Sequence, residues 1–267
     1  MRIVKAHAYG NDFVYVPVAD LAGGLEGLPA LARGLCDRHT GVGADGLIVF
    51  RETDRGAWMR LTNADGSPSE VSGNGVRGLA AWLARQRGLA GGDRPPELLI
   101  DTDAGPKVLV LEGTEGQRRF RFRAHMGVPE RLRRVTLEVA GETVEAGALA
   151  VGNPQCVMLA PLDETRLARL GPALQRHPEF PEGVNVELAQ VVTPGHVRIL
   201  IWERGVGPTL SSGTGSCASG VVAAAFGGAN RSVEVEAPGG TQRVEWTDDG
   251  VWLTGWAEVV FEGRWVG

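Results

Sequence analysis

Short apolar runs, several alternating in polarity every second residue, dominate the chain. They are MRIVKAHA, FVYVPVA, GLIVFRE, WMRLTN, ELLIDTD, KVLVLEG, RRFRFRA, RVTLEVA, CVMLAPL, NVELAQVV, HVRILIWE, SVEVEAP and GVWLTGWAEVVFEG. They are rich in β-branched residues and punctuated by Gly, Asp or Pro, and so predict strands. Helical spacing is rarer. LPALARGLCDRH (28–39) and DETRLARLGPALQRH (163–177) repeat apolar residues with the 3.6 period. GVRGLAAWLARQRG (75–88) and GSCASGVVAAAFGG (215–228) are apolar almost all round. A helix without a polar face belongs inside, surrounded by other elements.

Those two helices are preceded by the same four-residue motif. Ser72-Gly73-Asn74-Gly75 and Ser212-Gly213-Thr214-Gly215 are offset by 140 residues, an offset that also brings Pro68 onto Pro208. Each motif follows a strand, WMRLTN or VRILIWE, by about ten residues. The pattern is that of an internal duplication, two similar domains each centred on a buried helix. Glycines before a helix let backbone N–H groups approach a ligand, and a helix N-terminus favours an anion. Two such ends on either side of a domain cleft would hold one small anion between them. The plainer alternative is that both turns only start small-residue helices. Gly73, Gly75 and Gly78 also satisfy a dinucleotide fingerprint, with Asp101 ending a strand further on. That fingerprint should follow its strand directly, whereas ADGSPSEV intervenes here, so this reading is set aside.

Charge and cysteine usage narrow the classes. The formal charge is −5, and all but Lys5 and Lys107 of the 27 basic residues are arginines. The densest basic cluster, RRFRFR near 118–123, reads as the solvated face of a strand in an acidic chain, so no nucleic acid is expected. No apolar run reaches the ~20 residues of a membrane span, and the first residues lack a signal-peptide core, so a cytoplasmic protein with no membrane role is expected. The three cysteines, Cys36, Cys156 and Cys217, are odd in number and lack C-x-x-C spacing, and the five histidines are scattered. Neither a disulfide framework nor a metal site is expected.

Gly10-Asn11-Asp12-Phe13-Val14, Gly43-Ala44-Asp45-Gly46, Asn63-Ala64-Asp65-Gly66-Ser67, Gly73-Asn74-Gly75-Val76-Arg77, Gly152-Asn153-Pro154, Asn185-Val186, Glu203-Arg204-Gly205 and Gly213-Thr214-Gly215-Ser216-Cys217 follow one another along the chain. In order and spacing this set resembles the diaminopimelate epimerase family over essentially the whole length, to the LTG-x-A near the end. The resemblance implies an α+β fold of two pseudo-symmetric domains, each a barrel-like, mostly antiparallel sheet wrapped around a central helix. It places the first domain at 1–117, with the last strand (258–267) returning to it, and the second at 118–257. It implies an isomerase independent of pyridoxal phosphate and of metals, without a cofactor, and a homodimer. The family inverts LL-diaminopimelate to the meso form in lysine and peptidoglycan biosynthesis. A cysteine thiolate removes the α-proton from one face and a cysteine thiol returns one from the other, while helix N-termini stabilise the reacting carboxylate.

By the same resemblance Asn11, Asn63, Asn153, Asn185 and Arg204 match positions that recognise the distal amino-acid end, with Arg204 gripping a distal carboxylate. Gly73-Asn74 and Gly213-Thr214 match the cradle of the reacting carboxylate, and Glu203 the acid that meets the reacting end. Turn capping remains open for each Asn, and a surface ion pair for Glu203-Arg204. The catalytic pair departs from the family. Ser72 and Ser212 stand where it has cysteines, and Gln155 where it has a histidine. Pro208 replaces a glutamate, while Gly78 and Trp256 replace a common cysteine and proline. A cysteine pKa of about 8.5 is readily lowered at a helix N-terminus, whereas a serine hydroxyl needs an adjacent base to act. Cys217, five residues beyond Ser212, reads as buried packing. Weak or no epimerase activity is therefore expected. The serines are compatible with deliberate replacement, with a natural relative doing other chemistry on an amino acid, or with a catalytically silent amino-acid binder. The changes at Gln155, Pro208 and Gly78 favour natural divergence.

Overall fold

The computed structural model describes residues 1–91 and 93–266. Contacts divide them into two units: Met1–Ala124 with the segment from Gly255 onward, and His125–Thr254. The first contains β1 (Arg2–Ala8), β2 (Asn11–Pro17), α1 (Leu28–Cys36), β3 (Gly46–Thr53), β4 (Gly56–Asn63), β5 (Pro68–Ser69), α2 (Gly73–Gln86), β6 (Glu97–Thr102) and β7 (Gly105–Glu115). β8 (Arg119–Gly127) leads into the second unit. That unit continues with β9 (Glu130–Val139), β10 (Glu142–Val151), β11 (Asn153–Leu159), α3 (Glu164–Gln175), β12 (Asn185–Thr193), β13 (His196–Glu203) and β14 (Gly207–Thr209). It ends with α4 (Gly213–Phe226), β15 (Ser232–Ala237), β16 (Gly240–Thr247) and the first part of β17 (Gly250–Arg264), whose later residues pair with β1.

In the first unit the strands close a ring. β1 pairs β2 and β3 pairs β4 antiparallel, while β2–β3 and β4–β6 are parallel. β6, β7 and β8 continue antiparallel, and β17 joins both β8 and β1. Helix α2 fills the ring, which is why eleven of its residues, Asn74 to Ala84, are buried. Strands β2 and β3 send alternate side chains to opposite faces. Tyr15 and Ile48 pack with α2, whereas Val14 and Leu47 pack with α1 on the outside. Gly78 is needed where helix and strand approach most closely, because a Cβ there would lie 2.1 Å from the Tyr15 hydroxyl.

The second unit repeats the scheme. β11–β12 is parallel, β12–β13 antiparallel and β13–β15 parallel, around α4 and its apolar cluster. Helix α3 covers the outer face through Leu167, Leu170 and Leu174. β4 and β13, and α2 and α4, have bounds offset by 140 residues, so the duplication read from the sequence is structural. Cys217 is fully buried in the core of this unit. The basic run of β8 alternates Phe120 and Phe122, both buried, with exposed or half-buried arginines.

The duplicates have diverged inside their helices. Leu79 of α2, 0% exposed, has Ser219 as its counterpart in α4, also 0% exposed. The Ser219 hydroxyl has no hydrogen-bond partner among the described residues. A buried hydroxyl without a partner costs about 1–3 kcal/mol. Ser219→Ala is therefore expected to raise stability by about 1 kcal/mol, seen as a higher urea midpoint at unchanged slope. A lower midpoint would show that the hydroxyl has a stabilising partner.

Candidate functional site

Both S-G-x-G motifs fold into the same local structure. Ser72 (φ −124°, ψ 123°) and Ser212 (φ −137°, ψ 126°) are extended N-cap residues. Each hydroxyl oxygen accepts the amide of the glycine three residues on, Gly75 or Gly215, at 3.2 Å. An N-cap serine satisfies one first-turn donor and leaves the others without an intrahelical partner. At these two ends those donors include the amides of Gly73-Asn74 and Gly213-Thr214. The helix dipole adds partial positive charge at the same place.

Around the first end the side chains form one chain of hydrogen bonds. Arg77, 2% exposed, donates to Asn74 Oδ1 at 3.2 Å. Asn74 Nδ2 donates to Asn11 Oδ1 at 3.2 Å, and Asn11 Nδ2 donates to Asp45 at 2.7 Å. Asp45 also accepts from Arg38 (2.8 Å), which bridges to Asp12 (2.9 Å), itself paired with Lys5 at 2.5 Å. Burial works against the Asp12 carboxylate, but Arg38 and Lys5 prevail and hold its pKa below the usual range. Asn11 and Asn74 are thus brought together and fixed. Asn63 is held separately, donating to Ser67 Oγ at 2.9 Å.

The second end is backed by buried polar groups. Gln155 is 0% exposed, and its Nε2 donates to Asn153 Oδ1 at 2.5 Å and to Thr214 Oγ1 at 3.1 Å. The Thr214 hydroxyl lies 3.5 Å from that of Ser212. Gln242, 1% exposed, donates to the hydroxyls of Ser211 and Ser216 at 3.3 Å. Asn185 Oδ1 accepts the amide of Arg204 at 2.8 Å, so these two residues are joined through the backbone. The Arg204 guanidinium donates to the carbonyl of Glu182. Gln155, Asn153, Thr214 and Ser212 therefore form one contiguous group, with Asn185 and Arg204 as a second pair.

Glu187 is the residue that sequence reading missed. It is 0% exposed on β12, with Gly215 so close that a Cβ there would meet Glu187 Oε1 at 2.6 Å. Burial, reinforced by the nearby Glu203, pushes its pKa well above the usual carboxylate range. The available signal was an acid inside the apolar run NVELAQVV, on a strand flanked by neighbours on both sides. Asp45 and Arg77 lay inside quoted motifs, but their role in fixing Asn11 and Asn74 needed coordinates.

Comparison with known proteins agrees with this geometry. The family described as "Diaminopimelate epimerase" matches residues 3–132 and 147–260. A diaminopimelate epimerase of Desulforudis audaxviator is 41% identical over 100% of this chain and 99% of its own length. One from Nostoc punctiforme is 37% identical, covering 99% of each. Among solved structures, a predicted epimerase from Pseudomonas aeruginosa superposes with a TM-score of 0.74 at 16% identity, covering 100% of this chain and 99% of that one. A hydroxyproline epimerase from Agrobacterium vitis gives 0.67 at 16% identity, covering 98% and 90%. At that identity the structural matches speak for the fold, whereas the full-length relatives speak for the family. This chain, with its duplicated capped helices and ordered motifs, belongs to the diaminopimelate epimerase family of amino-acid isomerases.

Proposed function

We propose that the chain binds an amino acid with a distal carboxylate, diaminopimelate in the first instance, and turns it over slowly because serines hold the two proton-transfer positions. The observation that carries this reading is the pair of identically capped helix starts, with serine hydroxyls at both N-caps. Each start supplies backbone donors for a carboxylate whose charge grows as the α-proton leaves. Asn11, Asn63, Asn153, Asn185 and Arg204 are assigned to recognition of the distal end, and Glu203 and Gln155 to the reacting end. The hydroxyls of Ser72 and Ser212 stand in for a thiolate base and a thiol acid. Neither has an appreciable ionised fraction near neutral pH. The reading carries no pyridoxal phosphate, and takes the protein as a cytoplasmic homodimer without a nucleic-acid or membrane partner.

The test is calorimetric binding of LL-diaminopimelate together with NMR of its α-proton in deuterated water. Binding with slow or no exchange is the expected result. Rapid exchange would overturn the assignment of the serines as poor proton carriers, and absence of binding would overturn the substrate. Arg204→Ala is expected to weaken binding by about 1.5–3 kcal/mol, roughly 10- to 100-fold, the range for a hydrogen bond to a charged group. Unchanged affinity would remove Arg204 from the distal site.

A further inference from the structure

The two helix ends differ in one buried residue. In the first unit, a Cβ on Gly75 would meet the Ile48 side chain at 2.6 Å; in the second, one on Gly215 would meet Glu187 Oε1 at the same 2.6 Å. Strand register makes these places equivalent. Ile48 pairs across its hairpin with Leu61, and Glu187 pairs with Ile201, the residue 140 positions beyond Leu61. One end is therefore backed by a hydrocarbon and the other by a carboxyl group. Replacing an aliphatic core residue by an acid imposes a large desolvation cost, so a protein keeps it neutral or puts it to use.

The Gln155 amide records which state the acid holds. Its Nε2 donates to Asn153 and Thr214, so its Oε1 is the end that lies 2.9 and 3.3 Å from the two Glu187 oxygens. Two acceptors at that separation require a proton between them, which a protonated Glu187 supplies by donating to Gln155 Oε1. Thr214 then accepts from Gln155, and its own hydrogen is free to point at Ser212 Oγ, 3.5 Å away. Ser212 already accepts from Gly215 N, so its hydroxyl hydrogen is left to donate outward. Ionised Glu187 demands the opposite order. Gln155 must turn over to donate to it, whereupon Gln155 Oε1 accepts from Thr214 at 3.1 Å and from Asn185 Nδ2 at 3.3 Å. Thr214 can then only accept from Ser212, whose hydrogen is drawn inward.

We propose that Glu187 is a positioning residue that, through Gln155 and Thr214, sets whether the Ser212 hydroxyl donates outward to a bound anion or inward to the protein. Glu187 touches no ligand and acts only through this chain. Its protonated form adds an O–H donor to the group of backbone donors at the start of α4; its ionised form withdraws that donor and adds a negative charge beside Gly215. The groups facing it are Gln155 and Cys156 of β11, Asn185 on its own strand, Glu203 of β13, and the Ser212–Gly215 turn of α4. Glu203 repels the ionised form, as burial does, so the outward-donating state persists well above the pH at which an exposed carboxyl ionises. The sign follows: anion affinity at this end is full at low pH and is lost as pH rises through the folded-state pKa.

The identity of the anion rests on the proposed function; the state of Glu187 does not. The experiment therefore has two arms on the full chain. Carbon-13 NMR of glutamate-labelled protein, with Glu187→Gln to assign the signal, is expected to find the Glu187 carboxyl protonated at neutral pH. A Glu187 signal titrating in the ordinary carboxylate range overturns the inference whether or not diaminopimelate binds. The second arm measures LL-diaminopimelate binding by calorimetry from pH 5 to 9. The parent is expected to lose affinity about tenfold across the Glu187 titration, and Glu187→Gln to stay flat because its side chain cannot ionise. A parallel pH dependence in both proteins, or none in the parent while its Glu187 titrates, overturns it. If neither protein binds diaminopimelate, the same pH series is run with glutarate, a simple dicarboxylate. Failure of that probe too, beside a neutral carboxyl, overturns the anion-gating role. Should Glu187→Gln fold poorly, Gln155→Leu breaks the chain at its middle and is expected to abolish the pH dependence equally.

Discussion

Ser72→Cys combined with Ser212→Cys is expected to accelerate α-proton exchange of LL-diaminopimelate in deuterated water by a factor on the order of 10²–10⁴, the usual contribution of a positioned acid or base. The geometry needed is already present. Each serine is an N-cap whose Oγ accepts a glycine amide at 3.2 Å, so a sulfur placed there meets the same amide and the positive end of the dipole. Those conditions lower a thiol pKa from about 8.5 toward neutrality, whereas an alkoxide remains out of reach. Inversion needs a base on one face of the α-carbon and an acid on the other. Each single replacement is therefore expected to recover far less inversion than the pair, a non-additivity typical of residues that act as a unit. The rate in the double variant should rise with pH as one thiol ionises and fall again once both have done so, giving a bell-shaped profile. If the double variant stays inert while still binding, the loss extends beyond the sulfurs to Gln155, which takes a histidine's place in this family's site, or to Pro208.

Much of this was legible in the sequence because it was written in local patterns. The two all-apolar helices could only be interior, and α2 and α4 are the buried centres of their units. The repeated S-G-x-G motif located both N-caps, since serine before glycine at a helix start has one capping geometry available to it. The alternation Arg–Phe–Arg–Phe in β8 separated solvent from core residue by residue. What the sequence could not reveal was long-range: that Arg77, Asn74, Asn11 and Asp45, spread over 66 residues, form one hydrogen-bonded chain. Glu187 was hidden for another reason. A strand pattern assigns a lone acid to whichever face is wet, and only the parallel β11 and antiparallel β13 on its two sides, with α4 over it, remove that option.

Leu79→Ala is expected to cost about 2–5 kcal/mol, the range for truncating a fully buried leucine when its surroundings relax only in part. Leu79 lies at 0% exposure within the cluster that α2 forms with the strands of its ring. A closed ring of strands leaves few ways to collapse onto the vacated space, which places the cost toward the upper end of that range. Single domains are commonly stable by only ~5–15 kcal/mol, so the variant forfeits a large share of its margin. The same truncation at the equivalent place in α4, Ser219→Ala, carries the opposite sign, because there the lost group is an unpartnered hydroxyl rather than four carbons of packing. Denaturant unfolding of the two variants side by side therefore reads the divergence of the duplicated halves directly. If the units unfold in separate steps, Leu79→Ala should shift only the step belonging to Met1–Ala124, and Ser219→Ala only the other. Should both variants move a common transition, in opposite directions, the two units unfold as one cooperative body. A loss below ~1 kcal/mol for Leu79→Ala would mean that the ring around α2 repacks freely, against the close contact of Gly78 with Tyr15 one residue away.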